Sequence, residues 1–183
     1  VRVRLALPDL TLDLATDRGV FSRGEVDPGT KLLLLEAPAP APVGDLLDLG
    51  CGYGPMALTM AARSPGATVW AVDVNQRALS LTAANASAAG LANVRCCLPD
   101  EVPADVRFAT VWSNPPIRVG KGELHSMLTT WLGRLAVGGS AVLVVQKHLG
   151  ADSLTRWLNE TGFPTRRLQS RASYRLLEAS GSR

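Results

Sequence analysis

Leu46-Leu47-Asp48-Leu49-Gly50-Cys51-Gly52-Tyr53-Gly54-Pro55 is a short apolar run that breaks into three glycines within five residues. Leu46–Leu49 predicts a strand, and Met56–Arg63, just past the glycines, predicts a helix. Glycines between the two permit a tight turn and let a ligand approach the backbone closely. The helix start adds N–H groups that have no partner within the helix. The same rhythm runs on toward the C-terminus. Thr68–Val72, Val94–Cys97, Phe108–Ser113 and Ala141–Gln146 predict strands. Gln76–Ala89 predicts a helix closed by Gly90, and Ser153–Thr161 one capped by Asp152 and closed by Gly162. Over Glu123–Ala136, Leu124, Met127, Leu128, Trp131, Leu132 and Leu135 share one helical face. Alternating strands and helices imply an α/β protein whose mostly parallel sheet is covered by helices. Ligands of such sheets bind at the carboxyl ends of the strands.

The flanks read differently. Residues 1–14 alternate around Pro8-Asp9 and predict an N-terminal β-hairpin. Thr16–Gly29 predicts a polar loop, and Thr30–Ala37 a short helix ended by Pro38, Pro40 and Pro42. Arg166–Ser170 and Tyr174–Glu178 predict a closing hairpin. A length of 183 residues predicts one domain, 1–183. Within it, 1–40 forms an appendage and 41–183 the core.

Composition bounds the function. The chain is 46% apolar and carries a net charge of +3, compatible with a nucleic-acid partner. No apolar run approaches the ~20 residues of a membrane span, so no membrane partner is expected. The cysteines are Cys51, Cys96 and Cys97, without a Cys-x-x-Cys pair, so no metal site is expected. They suit a reducing compartment, hence the cytoplasm. The first residue is Val1 and no signal-peptide pattern follows it, which leaves open what precedes it.

Gly50, Gly52 and Gly54 are spaced Gly-x-Gly-x-Gly, with Pro55 where a dinucleotide fingerprint continues toward its third glycine. Asp48 would repel a pyrophosphate but would suit the ammonium and sulfonium groups of S-adenosylmethionine (SAM). Asp73 ends strand Thr68–Val72, 23 residues beyond Gly50, close to the ~20 expected of a ribose-binding acid. A carboxylate there can accept both ribose hydroxyls, in SAM as in NAD. Strand Phe108–Ser113 runs into Asn114-Pro115-Pro116-Ile117. The prolines fix φ and donate no hydrogen bond, so the Asn114 side chain and the Pro115 carbonyl are held as rigid acceptors for an –NH₂ group. Such bonds aim a nitrogen lone pair at a methyl donor. No strong base is required, because the sulfonium methyl is already electrophilic and positioning supplies much of the rate.

With these motifs the chain resembles the class I SAM-dependent methyltransferases, which have a Rossmann-like fold. Within them it is similar to the methyltransferase small domain family, which includes ribosomal RNA guanine-N2 methyltransferases. Gly19-Val20-Phe21-Ser22-Arg23-Gly24, Asp27-Pro28-Gly29-Thr30, Asp48–Gly54, Asp73 and Asn114–Gly120 with Leu124-His125 carry the likeness. It implies a seven-stranded sheet with a C-terminal antiparallel hairpin. It implies Cys51 and its neighbours Gly50, Gly52 and Gly54 around the cofactor, Asp73 on the ribose, and Val74 and Asn75 beside the adenine. Asp100 would meet the adenine amine, and Thr30, at a helix start, the methionine carboxylate.

The family motif ends in an aromatic residue that stacks on the target base; here Ile117 stands in its place, and Phe21 is the candidate ring. Arg118 and Lys121, just beyond the motif, are candidates for substrate phosphate. The expected activity is methylation of an exocyclic amine in RNA, foremost guanine N2 of ribosomal RNA. DNA adenine and protein glutamine stay open as acceptors, and a non-catalytic SAM- or RNA-binding module is the alternative of another class.

Overall fold

A computed structural model describes residues 1–20 and 24–181. Strands β1 (Arg2–Ala6) and β2 (Thr11–Ala15) form the expected hairpin as a sheet of their own. The chain continues through α1 (Pro28–Glu36), β3 (Val43–Leu49), α2 (Pro55–Arg63), β4 (Gly66–Val72), α3 (Gln76–Ala88), β5 (Val94–Cys97) and β6 (Phe108–Ser113). It ends with α4 (Lys121–Leu132), β7 (Leu135–Gln146), α5 (Ala151–Glu160), β8 (Thr165–Arg171) and β9 (Tyr174–Ser180). The main sheet has seven strands in the order β5-β4-β3-β6-β7-β9-β8. β3 to β7 pair in parallel; β9 and β8 pair antiparallel, as the terminal hairpin predicts.

Alternation along the strands divides the core. Leu46, Val69, Ala71, Trp112 and Val142 face the side covered by α1, α2 and α3. Leu47, Leu49, Val72, Phe108, Val111 and Leu143 face α4 and α5. The chain builds β4 and β5 on one side of β3, then β6 and β7 on the other. Between β3 and β6 the direction of winding reverses, which in such sheets opens a crevice at the strand ends.

Several boundaries move, each for a local reason. β3 begins at Val43 because Val43, Gly44 and Asp45 pair with Gly66, Ala67 and Thr68, a backbone interaction that apolar periodicity does not register. Helix α4 stops at Leu132, since Leu135 pairs with Phe108 and opens β7. α1 begins at Pro28, with Asp27 as its cap: the Thr30 N–H donates to Asp27 Oδ2 at 2.9 Å. Asp152 is not the cap of α5. Gly150, at φ 101°, precedes that helix, and Asp152 lies in its first turn, where a carboxylate suits the helix dipole.

The hairpin is tied down by Asn85 of α3, whose side chain accepts from Ala15 N at 2.8 Å and donates to Ala15 O and Tyr53 O. Arg63 of α2 adds an ion pair to Asp9, at 2.8 Å.

Candidate active site

The glycine turn is held from below by its neighbouring strand. The N–H groups of Gly50 and Cys51 both donate to Val72 O, at 2.8 and 3.0 Å. Gly52 N donates to Asp73 Oδ2 and Asn75 N to Asp73 Oδ1, each at 2.9 Å. Asp73 thus clamps the turn to the end of β4 and keeps further acceptor capacity on both oxygens. Asn75 caps α3 through Arg77 N at 2.9 Å. Gly50 and Gly52 have φ of 79° and 55°, and a Cβ on either would meet nothing within 4 Å. Both require glycine for their conformation, and both border open space.

That space is a cleft of about 700 Å³ across the ends of β3, β4, β6 and β7. It brings together most of the residues singled out above: Gly50, Cys51, Gly52, Asp73, Val74 and Asn75 of the glycine turn and the end of β4, and Thr30, Asn114, Pro115, Pro116, Ile117 and Arg118. The two motifs, in separate parts of the sequence, share one cavity.

Asn114 has a defined orientation. Its Nδ2 donates to Asp27 Oδ2 at 2.9 Å and to Thr30 Oγ1 at 3.2 Å. A carboxylate oxygen accepts only, so the amide nitrogen is the end that must face Asp27. Oδ1 is left as the acceptor. Next to it, Ser113 Oγ donates to Leu49 O at 2.8 Å, binding the end of β6 to the end of β3.

Four candidates are not part of the cleft's lining. Asp48 does not line the cleft. It is 1% exposed, and its Oδ2 accepts from Ala57 N at 2.8 Å, inside the first turn of α2. Direct contact between Asp48 and a ligand's ammonium group is therefore corrected: Asp48 is a buried carboxyl beneath the turn. Burial pushes its pKa up to about 7, only partly opposed by the Ala57 N–H. Gly54 also lies outside the lining. At φ 103° its missing Cβ would stand 3.0 Å from Leu58 and Thr82, so it serves the packing of α2 on α3. Asp100 is exposed on the turn whose first residue, Pro99, does reach the cleft. Lys121 borders a smaller cavity next to it. Phe21 lies outside the described residues. Thr30 lines the cleft; its amide donates to Asp27 and its hydroxyl accepts from Asn114 Nδ2, which leaves the hydroxyl proton to donate.

The structure adds residues to which the sequence reading gave no role at the site. Asp27 fixes Asn114. Gln146, at the end of β7, donates through Nε2 to Tyr174 Oη at 3.2 Å, and both line the cleft. The strand-end rule that led to Asn114 would have found Gln146. Tyr174 carried no such signal: it starts an antiparallel strand and meets the same edge from the opposite direction. Met127 and Trp131 of α4, read as core, also reach the cleft.

The model of the methyltransferase small domain matches residues 11–178. The chain belongs to the methyltransferase small domain family. Its enzyme class follows: it is a SAM-dependent methyltransferase. It is 36% identical over 96% of its length to the uncharacterized protein YbxB of Bacillus subtilis, covering 88% of that protein. It is 31% identical to the ribosomal RNA small subunit methyltransferase C of Shewanella amazonensis, over 87% of this chain and 48% of that protein. Among solved structures it superposes on the T. thermophilus 16S rRNA N2 guanine methyltransferase RsmC, in complex with AdoMet and guanosine. The TM-score is 0.83 at 26% identity, covering 99% of this chain and 50% of that one. The chain thus spans about half the length of these two rRNA methyltransferases and most of YbxB.

Among the described residues no helix is long and apolar enough to cross a membrane, and no cluster of His, Cys, Asp and Glu is arranged to hold a metal ion.

Proposed function

We propose that this methyltransferase acts on the exocyclic N2 amine of guanine in ribosomal RNA. The observation that carries the reading is the fixed Asn114 amide, with its oxygen left as acceptor in the cleft that also holds the glycine turn. The fit to SAM rests on the open space over Gly50 and Gly52 and on the spare acceptor capacity of Asp73. In this reading Asp73 accepts the ribose hydroxyls, Val74 and Asn75 flank the adenine with Asp100 at its amine, and the backbone of Gly50, Cys51 and Gly52 lies along the methionine part. The Thr30 hydroxyl donates to the methionine carboxylate. Asp48 acts from beneath, as a buried negative group that responds to the positive charge above it.

SAM supplies an electrophilic methyl on sulfur. The protein's part is to hold the acceptor nitrogen. Asn114 Oδ1 and the Pro115 carbonyl accept the two N–H bonds of the amine, turning its lone pair out of conjugation and toward the methyl. Pro116 and Ile117 close the side away from the cofactor. Once the nitrogen is alkylated its extra proton is acidic, and solvent at the cleft mouth takes it.

Support for guanine in ribosomal RNA comes from the likeness to the 16S rRNA methyltransferase solved with guanosine and from the basic charge. The same reading places the protein in the cytoplasm with the ribosome, in keeping with its free cysteines. Mass spectrometry of ribosomal RNA nucleosides from cells with and without the gene tests it. N2-methylguanosine is expected to fall in the deletion. If RNA is unchanged while labelled methyl goes to a protein glutamine or to DNA adenine, the acceptor assignment is wrong and Ile117 marks a different substrate.

A further inference from the structure

Next to the main cleft lies a second cavity of about 160 Å³, whose polar wall is Lys121, His125 and Ser153. Ile117 and Leu149 border both cavities, so the two are neighbours across an apolar lip. The lip stands on two 3-10 turns, Ile117–Val119 and Lys147–Leu149, which leave β6 and β7 at the same edge of the sheet. These turns carry Arg118 and Lys147, and α4 opens on Lys121.

The three cations differ from seven others of the molecule, whose charge is already engaged. Arg4, Arg63, Arg77, Arg166 and Arg171 each hold a carboxylate, at 2.8 to 3.3 Å. Arg95 lies over Trp70, and Arg134 over Phe108 and Trp131. Arg118, Lys121 and Lys147 are exposed, and among the described residues their side chains have no carboxylate, carbonyl or ring partner. Of the nearest acids in sequence, Glu123 lines the main cleft and Asp152 lines neither cavity. His125 is stacked on Trp157, centroids 3.8 Å apart and planes within 6°, so its ring is held still beside the cavity. Donors around an apolar-lipped hollow, with free cations at its rim, are the chemistry of a phosphate contact.

We propose that this small cavity receives the phosphodiester adjoining the nucleotide whose base enters the main cleft. The inference rests on the RNA reading given above. Lys121 supplies the charge, Ser153 a hydroxyl and His125 a ring N–H, while Arg118 and Lys147 track the strand on either side. Ile117 is then the lip over which the sugar turns. A branched aliphatic side chain suits that role, and the position needs no aromatic ring.

The test is methyl transfer to small-subunit ribosomal RNA by the full chain over a range of salt concentrations. Lys121→Ala is expected to raise the RNA KM about tenfold. It should also flatten the log–log salt dependence by about 0.7, the change for one phosphate that is no longer neutralised. SAM affinity, measured by calorimetry, stays unchanged. Ser153→Asp places a carboxylate in the first turn of α5, where it favours the helix. It should raise the RNA KM without lowering the melting temperature, a combination that a structural role does not produce. Lys121→Arg should retain most of the affinity, and Arg167→Ala, on edge strand β8, should change nothing. If wild type methylates RNA while Lys121→Ala and Ser153→Asp keep its KM and salt slope, the phosphate site is refuted. If wild type transfers no methyl to RNA, the RNA reading itself falls, and the phosphate site with it.

Discussion

Asn114 owes its orientation to Asp27, which also caps α1. The two functions can be separated, because serine is a good helix cap but its shorter side chain withdraws from Asn114. Asp27→Ser is therefore expected to leave stability nearly unchanged and to lower kcat about tenfold at constant SAM affinity, as the amide, held by the Thr30 hydroxyl alone, samples the wrong face. Asn114→Ala removes the acceptor itself, and a loss of about 100-fold or more in kcat is expected, with SAM binding intact. Single-turnover rates and calorimetry together check both variants.

Asp48 makes a prediction of a different kind. Its folded value, about 7, lies above the ordinary 3.8 of a carboxyl, because burial penalises the charge. The folded chain thus holds a proton that the unfolded chain has released. The stability associated with Asp48 is fully present below about pH 4 and is lost as pH rises through about 7. Asp48→Asn keeps an acceptor for Ala57 and cannot ionise. Relative to wild type it should gain stability across that window, which urea unfolding at several pH values measures. In wild type a cationic ligand above the turn favours the ionised form, so SAM binding near pH 7 should release protons, seen as a buffer-dependent binding enthalpy.

The strand–turn–helix unit shows how a local motif is divided between two tasks. Gly50 and Gly52 border the cleft, whereas Gly54 is pressed against Leu58 and Thr82. Gly54→Ala adds both backbone strain and a close approach, for an expected destabilisation of about 1–3 kcal/mol by thermal or urea unfolding. All three glycines look alike in sequence; only the packing of α2 on α3 tells them apart. Elements with strong periodicity are legible from sequence: the parallel strands, α3 and the final hairpin. Their ends are not, since β3 and β7 are extended by pairing, and α4 is shortened because Leu135 joins β6 instead of the helical face.

Across the molecule, the glycine turn with Asp73 and the Asn-Pro-Pro corner are carried by strands on opposite sides of the β3–β6 reversal. In the proposed reading, ligand bound between them would tie the two halves of the sheet together. SAM at about 100 times its dissociation constant should stabilise the protein by about 2.7 kcal/mol, and Asp73→Ala should abolish most of the resulting rise in melting temperature. The absence of that rise in wild type would contradict the cofactor placement.

The sequence by itself determined the α/β alternation, the glycine turn at the end of one strand, the acid at the end of the next and the Asn-Pro-Pro corner. Each depends on local chemistry: apolar period, glycine's freedom and proline's lack of it. Tertiary structure alone decided that Asp48 lies beneath the turn instead of in the cleft. It also decided that Gln146 and Tyr174 line the same cleft as Asn114, and which end of Asn114 is free. That last point depends on a hydrogen bond between residues 87 positions apart. Such long-range pairs are set by sheet order and register, which no local pattern encodes.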